Sequence, residues 1–143
     1  MRLSLDPSTQ AGDYGFVHRL RTRFAETDAM GVIHHGAYAP YLEEARAGLL
    51  RHLGHPYDEV RRAGIEFSVL ELYVRYRQPL YFDEVVDISV AVGTVTRTTF
   101  QVGYLLQVAG ETRSTAVTVH GAVDRSGRPA RMPGWLAEVI RSA

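Results

Sequence analysis

Residues 24–38 read Phe24-Ala-Glu-Thr-Asp28-Ala-Met-Gly31-Val-Ile-His34-His35-Gly36-Ala-Tyr38, and residues 37–53 read AYAPYLEEARAGLLRHL. The second stretch carries a helical period. Tyr38, Tyr41, Leu42, Ala45, Leu49 and Leu53 share one side, and Glu43, Glu44, Arg46 and Arg51 fill most of the other. This predicts one long helix over 37–53, stopped by Gly54 with His55-Pro56 beyond it. Pro40 lacks an N–H and is tolerated only near a first turn, so it pins the helix start close to His35–Ala37. The first stretch has no such period. Its two acids, two histidines and two glycines make it a loop that delivers polar groups to the start of that helix.

Outward from this pair, period two takes over. Residues 17–24 alternate, with Leu20, Thr22 and Phe24 on one face and Arg19, Arg21 and Arg23 on the other, which predicts a half-buried strand. After a short helix over 57–63, ended by Gly64, four more strands are expected: 65–78 up to Pro79, 85–95, 99–108 and 112–123. Val86, Ile88, Val90 and Val92 share a face, as do Phe100, Val102, Tyr104, Leu106 and Val108. Ala109-Gly110-Glu111 reads as a tight hairpin turn. Residues 133–140 form a terminal helix with Pro at its start. Residues 1–14 are read as a flexible leader and 15–143 as a single domain. The fold class is therefore α+β: an antiparallel sheet packed on one long helix. A lone helix covers only one face of such a sheet, so the other face or the sheet edges call for a partner, and a homo-oligomer is expected.

Bulk properties narrow the function. Sixteen Lys and Arg balance sixteen Asp and Glu, so no broad field points to nucleic acid or an anionic membrane. There is no cysteine, which excludes disulfides, thiolate nucleophiles and Cys-based zinc sites. No apolar run approaches the roughly 20 residues of a membrane span, nor is there a signal-peptide pattern. A cytoplasmic location is expected. His52 and His55 are three apart, but the helix breaks between them and no third ligand is evident, so neither metal nor cofactor is expected.

The chemistry concentrates at the loop. A carboxylate at Asp28 beside a helix N-terminus can attack a carbonyl or activate water, while backbone N–H groups hold the developing oxyanion. Taken alone, Asp28 is as readily a turn residue, and His34 is read as structural. Tyr38 lies on the apolar face, where it packs in the core and borders the pocket. Glu43 and Arg46 are read as a structural or solvated pair.

The segment resembles the signature of the 4-hydroxybenzoyl-CoA thioesterase superfamily, and within it the short acyl-CoA thioesterases associated with the Tol-Pal system. Phe24, Glu26, Thr27, Asp28, Gly31, Val32, Ile33, His35 and Tyr38 follow that pattern, then Glu43-Glu44-Ala45-Arg46. A second block, Val74-Arg75-Tyr76-Arg77-Gln78-Pro79 with Asp83-Glu84-Val85, matches in order. Ala37 stands where the family usually has Asn, and Glu26 where it has Asp.

The resemblance implies a hotdog fold, a five-stranded antiparallel sheet wrapped around one long helix, with subunits joined edge to edge into a homodimer or homotetramer and active sites across the interface. It implies Asp28 and His35 as catalytic groups: Asp28 as nucleophile or general base, His35 through its backbone N–H. Gly31, Val32, Ile33, Gly36 and Tyr38 would border the substrate, an acyl-CoA or an acyl carrier protein thioester. Arg97 and Thr98 would meet the CoA phosphates. Two alternatives stay open: a hydratase or dehydratase of enoyl thioesters, against which the absence of a Gly-Asp-x-Asn-Pro-x-His pattern counts, and a non-catalytic acyl-thioester binding module.

Overall fold

A computed structural model of the protein describes residues 6–141. The elements are β1 (Phe16–Arg21), α1 (Tyr38–His52), α2 (Tyr57–Arg62), β2 (Glu66–Tyr76), β3 (Val85–Val95), β4 (Thr99–Val108), β5 (Glu111–Val123) and α3 (Gly134–Arg141). Every strand pair is antiparallel, in the order β1-β3-β4-β5-β2. Of the expected leader, Met1–Leu5 lie outside the described residues. Beyond them, Ala11–Asp13 make one 3-10 turn, and the Tyr14 hydroxyl donates to the Ser8 carbonyl at 2.8 Å.

The alternating residues of β3 and β4 do what their period dictates. Val86, Ile88, Val90, Val102, Tyr104 and Leu106 are buried against Tyr41, Leu42, Ala45 and Leu49 of α1. Each such fully buried side chain contributes roughly 1.5–3 kcal/mol. Ala109 and Gly110 both take positive φ (49° and 82°), so the β4–β5 hairpin closes on two residues whose backbone twist matches the strands. At the end of α1, the His55 N–H bonds the Leu50 carbonyl and the Gly54 N–H bonds that of Arg51, the paired bonds of a Schellman stop.

Two strand ends differ from expectation. β1 stops at Arg21 although the alternation runs on to Phe24. The Arg23 amide donates to Glu26 Oε1 at 2.8 Å, which pulls the chain into the 3-10 turn Phe24–Glu26. Phe24 is left 75% exposed, edge-on to Phe82. β2 stops at Tyr76 because the Arg77 and Gln78 amides both bond the single Arg113 carbonyl, which ends the ladder two residues early.

The expectation about uncovered faces is also refined. On β4 and β5 the face turned away from α1 is already buried in the single chain: Leu105, Val117 and Val119 are at most 1% exposed. The open surface is β2, the edge strand beside β5. Val69, Leu70, Leu72, Tyr73 and Tyr76 are each about half exposed there.

Candidate active site

The Asp28 turn is built from its own backbone. The Gly31 N–H donates to the Asp28 carbonyl (3.0 Å) and the Asp28 N–H to the Val32 carbonyl (2.8 Å), and Gly31 at φ 81° supplies the left-handed step. Asp28 Oδ1 accepts from the amides of Met30 (2.8 Å) and Val32 (3.3 Å). One oxygen holds the loop, and the other accepts from no protein donor among the described residues. The half-buried carboxyl faces a cleft of about 350 Å³.

The start of α1 forms the opposite wall. His34 caps the 3-10 turn His35–Ala37, its Nδ1 accepting from the Gly36 amide at 2.9 Å, which is the structural role expected of it. A Cβ on Gly36 would sit 2.9 Å from that nitrogen, so only glycine admits the cap. The His34 and His35 rings lie 4.1 Å apart, tilted by 30°. The Gly36, Ala37 and Tyr38 amides are all taken up locally. The His35 N–H meets no protein acceptor among the described residues and lies at the positive end of the helix.

Three anchors hold this geometry. Glu26 accepts from the Tyr41 hydroxyl (2.5 Å) and from the Arg23 guanidinium, tying the loop to α1. Burial alone would raise the Glu26 carboxyl, but the Tyr41 and Arg23 hydrogen bonds outweigh it and hold it below the usual carboxylate range. Arg113 forms a bidentate pair with Glu84 (2.9 and 2.8 Å) and donates to the Pro79 carbonyl (2.8 Å), fixing the segment that borders the cleft. That guanidinium depresses the Glu84 carboxyl, against burial. Tyr38, edge-on to Tyr76 at 4.9 Å, has its hydroxyl pushed up to about 12, chiefly by burial.

Of the residues singled out from sequence, Asp28, Val32, Ile33, His35 and Tyr38 line one cleft, and Gly31 and Gly36 shape its walls. Arg97 and Thr98 lie elsewhere. They follow the far end of β3, about 33 Å of strand from the Val85 end where β1 delivers the Asp28 loop. Sequence reasoning missed the floor of the cleft: Tyr76, Arg77, Gln78 and Pro79. They sit in the second motif block, which was matched as a pattern without being assigned to the site. Glu43 and Arg46 do not pair, because Arg46 turns inward and Nη1 donates to the Tyr104 hydroxyl at 3.2 Å. His52 and His55 pack on Phe16 and Trp135.

The chain is similar to known proteins over most of its length. A family model described as the thioesterase-like superfamily matches residues 22–140. A crystal structure of a hypothetical protein from Aquifex aeolicus is 35% identical, with a TM-score of 0.83 over 87% of this chain and 98% of that one. The 1,4-dihydroxy-2-naphthoyl-CoA hydrolase of Synechococcus elongatus is 27% identical over 87% of this chain and 95% of its own length. The DHNA-CoA thioesterase structure from Staphylococcus aureus is 28% identical, with a TM-score of 0.83 over 88% of this chain and 90% of that one.

Proposed function

The chain belongs to the thioesterase-like superfamily, with the hotdog fold of its structural neighbours, and from that membership we propose that it hydrolyses an acyl-CoA thioester at the Asp28 cleft. The observation that carries the proposal is that Asp28 and His35 line one cleft, and that one Asp28 carboxylate oxygen and the helix-start His35 N–H have no protein partner among the described residues. The His35 N–H polarises the thioester carbonyl and holds the oxyanion. Asp28 then acts by one of two balanced routes. As nucleophile, its free oxygen bonds the carbonyl carbon, the C–S bond breaks, the CoA thiolate leaves and takes up a solvent proton, and water opens the resulting anhydride. As general base, it takes a proton from the water that attacks the carbonyl, and that proton leaves with the CoA sulfur. Single turnover in ¹⁸O-water tests the nucleophilic route: a first product acid without the label, with the label in Asp28, requires an anhydride opened at the Asp28 carbonyl carbon.

The second part of the proposal is assembly as a dimer, alone or paired into a tetramer. β2 is an apolar edge strand, the kind of edge that pairs with another chain. Antiparallel pairing of two β2 strands about their middles sets Tyr76 of one copy beside the Glu66–Val69 end of the other. Gly121 pairs both Ser68 and Thr99, so the Arg97–Thr98 turn lies at that same end. The pairing supports a site in which one copy brings Asp28 and His35, and the second brings Arg97 and Thr98 to the phosphates of CoA or of a carrier protein's pantetheine. Among the described residues no helix is long and apolar enough to cross a membrane. Because CoA thioesters are intracellular compounds, the reading carries with it a cytoplasmic location.

Thiol release from a panel of short, aromatic and long acyl-CoA substrates tests the activity. At least one is hydrolysed by the wild type, and none if the chain is only a binding module. Sedimentation at micromolar concentration tests the assembly: a dimer or larger species is expected, and a strict monomer contradicts the shared site.

A further inference from the structure

A second cavity, of about 370 Å³, opens among α1, α3 and the sheet, lined by Leu50, Phe67, Phe100 and Val102. Two nitrogen-bearing side chains, Arg46 and His120, reach this mostly apolar lining, which Tyr57 and Glu43 also border. Arg46 is half-buried, and its one protein hydrogen bond among the described residues goes to the neutral Tyr104 hydroxyl. No carboxylate lies within 4 Å of it among those residues, and Glu43, the acid on the rim, is exposed. Behind Arg46 runs a buried chain, Tyr104 to Thr118 at 2.6 Å and Thr118 to His120 at 2.7 Å. When each hydroxyl donates once, Arg46 gives to Tyr104, Tyr104 to Thr118, and Thr118 to His120 Nε2. The chain delivers no negative charge to the guanidinium. A cation drawn into apolar surroundings without a counter-ion is costly unless a ligand supplies one.

Resting on the hydrolase reading, we infer that this pocket receives the far end of the acyl group and that Arg46 binds a carboxylate carried there, so the favoured thioesters are those of acyl groups ending in an acid. The pocket lies at the Phe67–Val69 end of β2, and the Asp28 cleft at its Tyr76–Pro79 end. In a pair joined through β2, each Asp28 cleft therefore adjoins the pocket of the other copy.

The test is equilibrium binding, which needs no turnover. The probes are the hexyl thioether of CoA and counterparts whose terminal methyl is replaced by a carboxylate or by a hydroxymethyl group. The carboxylate form is expected to bind the wild type about tenfold tighter or more than the methyl form, with the hydroxyl form between them. Arg46→Met abolishes that order. Arg46→Lys, which keeps the charge, retains part of it and serves if the methionine variant melts early. Tyr104→Phe leaves the order intact. Equal binding of all three probes, tighter binding of the hydroxyl form, or an order that survives Arg46→Met overturns the inference. Its failure is distinct from failure of the hydrolase reading, which would show as no thiol release from any acyl-CoA while probe binding stays measurable.

Discussion

The Asp28 cleft and the Arg46 pocket sit at opposite ends of β2 and are built in opposite ways. One wall of the cleft is local: Asp28 through Tyr38 contribute five of its nine lining residues, and backbone hydrogen bonds within eleven residues shape the Asp28 turn and the helix start, while Tyr76 to Pro79 bring the floor from afar. The pocket draws on α1, α2, α3 and four strands, and its polar chain joins residues 58 positions apart. Chemistry that needs a fixed backbone donor is served by the first construction. Selection by size and charge is served by the second, whose walls can vary one at a time. On the proposed hydrolase reading, turnover and acyl choice are assigned to separate parts of the protein.

That separation can be broken by experiment, beginning with the largest effect. Asp28→Asn keeps an acceptor for the Met30 and Val32 amides, so the fold should melt near the wild-type temperature. Its kcat should fall by about 10²–10⁴ for every acyl-CoA alike. A variant that lost only some substrates would show that the cleft also selects. Arg113→Met leaves Glu84 half-buried without its partner and frees the Pro79 carbonyl. A loss of about 2–4 kcal/mol is expected by denaturant melt, below the full value for a deeply buried pair because Glu84 keeps some solvent.

His120 tests the pocket's interior. Burial first, and the Arg46 charge second, push its imidazole down to about 3 from an ordinary value near 6.5. The folded state thus refuses a proton that the unfolded chain accepts. Stability is whole above about pH 6.5 and falls as pH drops toward 3, by about 2 kcal/mol at pH 5. Glu26 and Glu84, held low, lose their contributions only below about 4.5, so the interval between belongs to His120. His120→Gln should flatten the melting temperature over that interval, and an unchanged slope would remove the buried neutral imidazole from the account.

The smallest effect concerns the join between loop and helix. Tyr41→Phe removes one donor from Glu26 while Arg23 remains, so a loss of about 1–2 kcal/mol is expected, with kcat down a few-fold as the Asp28 loop loosens. A variant as stable and as fast as the wild type would mean that Arg23 alone holds the loop.

Legibility followed the same divide. The bounds of β3 and β4, the long helix and its glycine stop, and the Ala109-Gly110 hairpin were all readable, because each depends on periods and turn residues within a few positions. The end of β1 was not, since Phe24 continues the alternation and only the Arg23–Glu26 hydrogen bond turns it out. Nor was the early end of β2, which hangs on one carbonyl of Arg113 in another strand.

By itself the amino-acid order determined the plan of one long helix beside five strands and the polar loop at the helix start, because covalent neighbours set backbone geometry there. Tertiary structure alone decided that Tyr76 to Pro79 floor the Asp28 cleft, that Arg46 turns from the expected surface pair into a pocket, and that Arg97 stands at the far end of the sheet. Those placements come from strand register and side-chain packing between residues far apart in the chain, where no local period reaches.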